Sequence, residues 1–202
     1  MIRFENDGPV WRATIARAHK ANSLTEAMLS DLADFAEAAR GARVFVLTGE
    51  GSVFSAGADL EAARAGLALS PVWERLSGAI AALPGLSIAA LNGTVAGGAM
   101  GMVLACDLRV AVPSARAFYP VMKLGFLPQP SDPGRLAALI GPARARMILM
   151  GGAKIDAETA LHWGLFDRIV APDALFDCVD ELSADILGAD PDHARAIKAM
   201  CS

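Results

Sequence analysis

The sequence predicts an α/β domain with right-handed crossovers. Three short strand-like runs, Val44–Leu47, Ile88–Leu91 and Leu108–Ala111, alternate with segments of helical spacing. Two of the strands run into glycine-rich loops that open helices, at Gly57-Ala58-Asp59 and at Gly97-Gly98-Ala99. With 54% hydrophobic residues, a chain of 202 residues has ample material for a sizeable core. No fixed-period repeat, low-complexity run or linker interrupts it, so the expectation is one domain over 1–202.

The elements follow in order. Ile2, Phe4, Val10, Ala13 and Ile15 alternate with polar partners around Asp7-Gly8, the pattern of a β-hairpin. Asn22 or Ser23 is expected to start a helix that carries Leu24, Met28, Leu32 and Phe35 and ends near Gly41. Val44–Leu47 is wholly apolar, as in a strand buried on both faces. A loop of small and polar residues, 49–58, precedes a helix begun by Asp59. Ile80–Leu83 close the next helix, which Pro84-Gly85 breaks. Ile88–Leu91 forms the second buried strand, Asn92-Gly93 turns, and 97–101 lead into a helix of Met102–Ala105. After Leu108–Ala111 and Pro133 the pattern is helical, through Leu136-Leu139-Ile140, 145–150 and 157–163. A late strand at 166–170 and a long helix at 174–187 complete the expectation.

Composition excludes several classes. Lys and Arg total 18 against 22 for Asp and Glu, a formal charge of −4, the wrong balance for a protein that neutralises phosphates on nucleic acid. Aromatics at 6% offer no base-stacking platform. Cys106, Cys178 and Cys201 are odd in number and widely spaced, which fits neither a disulfide framework nor a zinc site and points to a reducing, cytoplasmic setting. The first residues do not read as a signal peptide. Residues 76–106 lack charge and are long enough for a membrane span, yet Pro84, Asn92 and six glycines fit buried strand, loop and helix better.

The two loop–helix junctions are the candidate chemistry. Each helix start offers unpaired N–H groups and the positive end of a dipole, and small residues let an oxygen approach the backbone. Two such donors aimed at one point form an oxyanion hole. Glycine at these places also serves close helix–sheet packing, and the pattern alone leaves both readings open.

The residues themselves narrow the choice. Thr48-Gly49-Glu50-Gly51-Ser52-Val53-Phe54-Ser55-Ala56-Gly57-Ala58-Asp59-Leu60 resembles the first signature of the enoyl-CoA hydratase/isomerase (crotonase) superfamily, and Ile88 through Ala99 resembles its second. Leu104–Arg109 and Ala157–Phe166 also fall at family positions, and the likeness runs from about Ile2 to Val170. The resemblance implies a crotonase-like spiral of ββα units, the core shared with Clp-type proteases, and an acyl-CoA thioester as partner. CoA would enter as part of the substrate, with no separate cofactor and no metal. Ala58 and Gly98 match the two N–H donors that hold the thioester oxygen as it becomes an enolate. Ala56, Gly57 and Gly97 flank them. Lys20, in Ala18-His19-Lys20-Ala21-Asn22-Ser23-Leu24, matches the region facing the nucleotide of CoA; a solvated surface lysine is the plainer reading. The family's habit implies a homo-oligomer, a trimer or dimer of trimers.

The resemblance also exposes what this chain lacks. Hydratases of the family place one glutamate three residues after the second oxyanion donor and another twenty residues later. Those positions are Gly101 and Val121 here, and a third acidic position used by some relatives is Gln129. None of the three can move a proton. Asp132 is the substitute acid/base candidate, since a desolvated carboxyl has a raised pKa; capping the helix near Pro133 is the plainer reading. Gln129 can orient a water or bond a loop. Tyr119 offers a phenol but also reads as amphipathic packing. Lys123 stands where naphthoate-synthase-like relatives have a lysine, and also suits plain surface.

Other groups read as structural. His19, His162 and His193 share no ligand spacing, Cys106 suits the core, and Asp59 suits a helix start. A protease is disfavoured because Ala99 stands where the nucleophilic serine would precede Met100-Gly101. A non-catalytic acyl-CoA-binding or assembly homologue is the alternative to an enzyme. Relatives usually continue for some sixty residues of helix, so the segment 171–202 is expected to be a shortened C-terminal helical part beyond a core of about 2–170.

Overall fold

The computed structural model describes residues 1–6 and 8–201. Strands β1 (Ile2–Glu5) and β2 (Val10–Ile15) form the expected antiparallel hairpin, with Ile2 opposite Ile15 and Glu5 opposite Arg12. Of its turn, Gly8 is seen with φ +94°, whereas Asp7 lies outside the described residues.

Parallel to β2 runs β3 (Val44–Gly49), followed across the sheet by β5 (Leu86–Leu91), β7 (Leu108–Ala111) and β10 (Arg168–Ile169). Phe45, Leu47, Ile88 and Leu91 are nearly or fully buried here, which is why these runs are apolar without alternation. The late strand is shorter than the predicted 166–170, because Leu165 and Phe166 are drawn back by N–H bonds to the carbonyl of Ala160.

A second sheet, not foreseen in the sequence, joins β4 (Val53–Ser55), β6 (Thr94–Ala96), β8 (Arg116–Phe118) and β9 (Ile155–Asp156). Strands of two or three residues are too short to display a period of two. Each winding of the chain from β3 to β8 therefore lays one strand in each sheet, and helical segments follow β4, β6 and β8. That is the ββα spiral.

Helix α1 (Glu26–Ala38) is capped by Thr25, whose hydroxyl accepts the Met28 N–H, and not by Asn22 or Ser23. Asn22 instead accepts the Arg17 N–H and donates to the carbonyls of Glu50 and Val53. Leu29 and Leu32 bury fully against the core, each stabilising by roughly 1.5–3 kcal/mol. Next come α2 (Leu60–Arg64), α3 (Val72–Ala81) and α4 (Ala99–Leu104). Helix α4 begins three residues before the predicted Met102, directly at the glycine pair.

The remaining helices are α5 (Val121–Leu124), α6 (Asp132–Ile140), α7 (Pro142–Leu149), α8 (Ala157–Trp163), α9 (Leu175–Gly188) and α10 (Pro191–Met200). The last falls within the segment 171–202 expected to be helical, as a separate helix after the long one; Asp190 caps it and Pro191 opens it, both standard start signals. Arg109 shows what the 104–109 motif does. Its buried guanidinium bonds the carbonyls of Leu165, Cys106 and Asp107 and pairs with Asp167 at 2.8 Å, tying β7 to the last strand. Among the described residues, no helix is long and apolar enough to cross a membrane.

Candidate functional site

The loop after β3 is positioned by two amides. Asn22 holds the carbonyls of Glu50 and Val53, while Asn92 accepts the Gly49 N–H at 3.1 Å and donates to Gly51 O at 2.8 Å. Residues 55–59 are then laced to 21–24. Ala56 N–H donates to Ala21 O, Gly57 N–H to Ser55 Oγ, and Asp59 N–H to Leu24 O. Leu24 N–H in turn donates to Gly57 O at 2.8 Å. Ala58 sits within this parallel bridge with its own N–H turned away, and it finds no acceptor among the described residues.

The second loop repeats the arrangement. Gly97 N–H donates to Phe118 O, Met100 N–H to Gly97 O and Gly101 N–H to Gly98 O. Gly98 N–H, at the start of α4, has no acceptor among the described residues. The two loops touch: Gly57 takes φ +89°, and a Cβ there would stand 2.8 Å from Ala96 O. A side chain at position 57 would force the loops apart.

Both open N–H positions border one cavity of about 380 Å³. Ala56, Gly97 and Gln129 line it too, so the structure brings together most of the residues singled out in the sequence. Gly57 lies buried behind the wall. Trp73, Phe118, Val121, Leu124, Phe126 and Leu127 make the remaining surface apolar. Trp73, anchored by its indole N–H to Leu67 O at 2.8 Å, packs against Gly98. Gln129 donates to Ala68 O, which bonds a loop as one of its two readings required. Among the described residues of this wall, Arg64 is the one charged side chain.

A more polar groove of about 730 Å³ continues outward, sharing Ala56, Ala58, Leu60 and Arg64 with the cavity and reaching Lys20. Asp59 caps α2, accepting the N–H groups of Glu61 and Ala62, and pairs with Arg17 at 2.9 Å. The Arg17 hydrogen bond holds its carboxyl below the usual range, which suits the helix-start reading.

Asp132 does not cap its helix. It lies fully buried in the first turn of α6 behind the cavity wall, and Oδ2 accepts the Tyr119 hydroxyl at 2.9 Å. Oδ1 is buried with no hydrogen-bond partner among the described residues. Backbone constraint explains the failed cap: residue 131 occupies the cap position, and the carboxyl points across to α4. Burial pushes its pKa up to about 6, with the Tyr119 hydrogen bond and Arg135 opposing that rise and Glu74 adding to it. Burial, with the neighbouring Asp132 carboxyl, also drives the Tyr119 phenol upward. Tyr119 itself lines the cavity. Sequence reasoning weighed it separately from Asp132 and missed their pairing, which depends on a contact across 13 positions.

The structural readings of other residues hold. His19, His162, His193 and Lys123 are exposed. Cys106 is buried, and burial raises its thiol to about 12, far from a nucleophilic thiolate. Trp73 and Arg64 were not singled out in the sequence; helical spacing marks Trp73 as core but says nothing of its contact with Gly98.

Fold and cavity together define an α/β protein of the crotonase type, with two glycine loops presenting backbone donors to an apolar pocket. The sequence model described as enoyl-CoA hydratase/isomerase matches residues 5–202. A carnitinyl-CoA dehydratase of Citrobacter koseri is 34% identical, over 98% of this chain and 79% of the relative. The crystal structure of an enoyl-CoA hydratase from Bacillus anthracis superposes with a TM-score of 0.89 at 31% identity, covering 98% of this chain and 81% of that one. A Thermobifida fusca YX protein solved in complex with CoA gives a TM-score of 0.90 at 30% identity, covering 99% and 83%. The chain belongs to the enoyl-CoA hydratase/isomerase family.

Proposed function

We propose that this protein binds an acyl-CoA thioester with its carbonyl oxygen between the N–H groups of Ala58 and Gly98 and stabilises the enolate that forms there. The observation that carries this reading is the pair of unengaged donors bordering one apolar cavity. Charge drawn onto the oxygen acidifies the α-carbon, and donors already oriented cost no reorganisation as that charge develops. Support for CoA itself comes from the groove, where Lys20 and Arg64 supply cations for phosphate groups, and from the CoA-bound relative with the same fold. CoA enters as part of the substrate, and no separate cofactor is invoked.

The acyl group is proposed to be apolar. The relative named carnitinyl-CoA dehydratase acts, by that name, on a cationic acyl group. Here the charged wall residue is Arg64, which disfavours a cation, whereas Trp73, Phe118 and Leu124 favour hydrocarbon. Asp132, buried behind the cavity wall, is the carboxyl from which this reading draws its acid/base capacity. The test is hydration of crotonyl-CoA, with acyl-CoA binding measured beside it by tryptophan fluorescence. Gly98→Pro, which removes a donor and distorts the loop, should abolish both turnover and binding; unaltered behaviour would refute the assignment.

A second reading, acyl-CoA binding without turnover, is favoured by Gly101 and Val121. The first is a buried glycine and the second an apolar wall residue, at the two positions where resemblance to hydratases places glutamates. Binding without hydration, isomerisation or exchange of α-protons selects it.

A further inference from the structure

We infer that Tyr119 is the residue that exchanges a proton with the bound acyl group, and that Asp132 acts only through it. This rests on the thioester reading above and names the proton-transfer group that reading needs.

Three placements support it. Tyr119 lines the cavity that Ala58 and Gly98 border, while Asp132 does not. The chain delivers the tyrosine there because β8 ends at Phe118, whose carbonyl accepts the Gly97 N–H, so the next residue leaves the sheet beside the oxyanion loop. Behind it, the phenol donates to Asp132 Oδ2 at 2.9 Å, and the other carboxyl oxygen is buried without a partner among the described residues. A carboxylate bonded through one oxygen and left bare on the other takes a proton more readily than a solvated one. The room for it exists because residue 101 is glycine: a Cβ there would stand 2.7 Å from Oδ1.

The step balances. As the α-carbon's C–H bond breaks, its proton passes to Tyr119 Oη while the phenol proton passes to Asp132 Oδ2. The C–H electron pair moves through the acyl carbon onto the thioester oxygen held at Ala58 and Gly98. Reprotonation reverses each transfer. Tyr119 never accumulates as phenolate, which matches its raised pKa, and Asp132 must be ionised at the start of abstraction. Among the described residues, the titratable and charged groups that act on this carboxyl are Tyr119, Arg135 on its own helix and Glu74 on α3. Glu74 accepts hydrogen bonds from the backbone N–H and hydroxyl of Ser131.

The test is deuterium uptake at the α-carbon of hexanoyl-CoA in heavy water, with hexanoyl-CoA binding measured on the same proteins. Wild type should exchange with a rate that rises through an inflexion near pH 6, the range of the Asp132 carboxyl. Tyr119→Phe should keep binding and lose about a hundredfold or more in exchange. Asp132→Asn, in which the amide oxygen still accepts the phenol, should exchange slowly and lose the inflexion; a merely structural aspartate would leave the profile in place. Exchange by Tyr119→Phe close to the wild-type rate overturns the relay, as does a wild type that binds but does not exchange. A wild type that fails to bind refutes the thioester reading itself.

Discussion

Gly101 faces the carboxyl of Asp132 so closely that a single added methyl group would lie 2.7 Å from Oδ1 and 3.1 Å from Oδ2. A helix position that resemblance to hydratases fills with glutamate is here empty, and a carboxyl from another helix occupies the adjoining space. That carboxyl stands behind a tyrosine, whose hydroxyl donates to its Oδ2.

Restoring the glutamate should therefore fail. Gly101→Glu is expected to destabilise by about 1–3 kcal/mol through overpacking and to bring two carboxyls together. Urea denaturation reads the cost, and crotonyl-CoA hydration should not rise above wild type. Gly101→Ala should show a smaller loss of the same origin, because Asp132 has to move to admit the methyl group.

Stability should fall as pH rises through the titration of Asp132. Its folded pKa of about 6 lies above the ordinary aspartate value near ~3.9, so the folded protein retains the proton over that window. The carboxyl's destabilising effect is absent below the window and fully present above it, on the order of 3 kcal/mol. Measured by denaturation at about pH 4.5 and about pH 7.5, Asp132→Asn should gain relative to wild type on going to the higher pH. Parallel curves for the two proteins would show that Asp132 does not titrate in this range.

Charge in the outer groove should govern affinity and leave the cavity's chemistry alone. Lys20 is exposed and borders that groove. Lys20→Glu should weaken acyl-CoA binding roughly fivefold to tenfold at low ionic strength, with the difference shrinking as salt is added. Titration at two salt concentrations checks it, and a salt-independent loss would point to a structural effect instead.

The strip formed by α5 and the residues just after it is unusually apolar for a free surface. Met122, Leu124 and Leu127 are 63%, 58% and 81% exposed, and Phe126 stands beside them. Copies of the chain are expected to assemble, trimers first, with this strip covered. Light scattering at micromolar concentration measures the mass, and Met122→Glu should lower it. A monodisperse wild-type monomer would contradict the expectation.

Much of the spiral was legible because its long strands and helix starts are local statements. Val44–Leu47 and Ile88–Leu91 announce buried strands by unbroken hydrophobicity, and Gly57 and Gly97 mark loops that need positive φ. The second sheet was hidden because strands of three residues exist only through their neighbours. Thr25 was passed over as a cap because Asn22 and Ser23 are equally good capping types, and only the fold reveals that Asn22 is spent on Glu50 and Val53.

For the site, the order of residues along the chain determined the two glycine junctions, the family they resemble and the loss of both glutamate positions. Tertiary structure decided which remaining polar groups meet. Nothing local distinguishes Asp132 as a cap from Asp132 as a buried carboxyl; the difference lies in Tyr119 arriving from β8 and in the space left at Gly101 on α4. A pKa depends on desolvation and on partners, and both are set by segments distant in sequence that packing alone brings together.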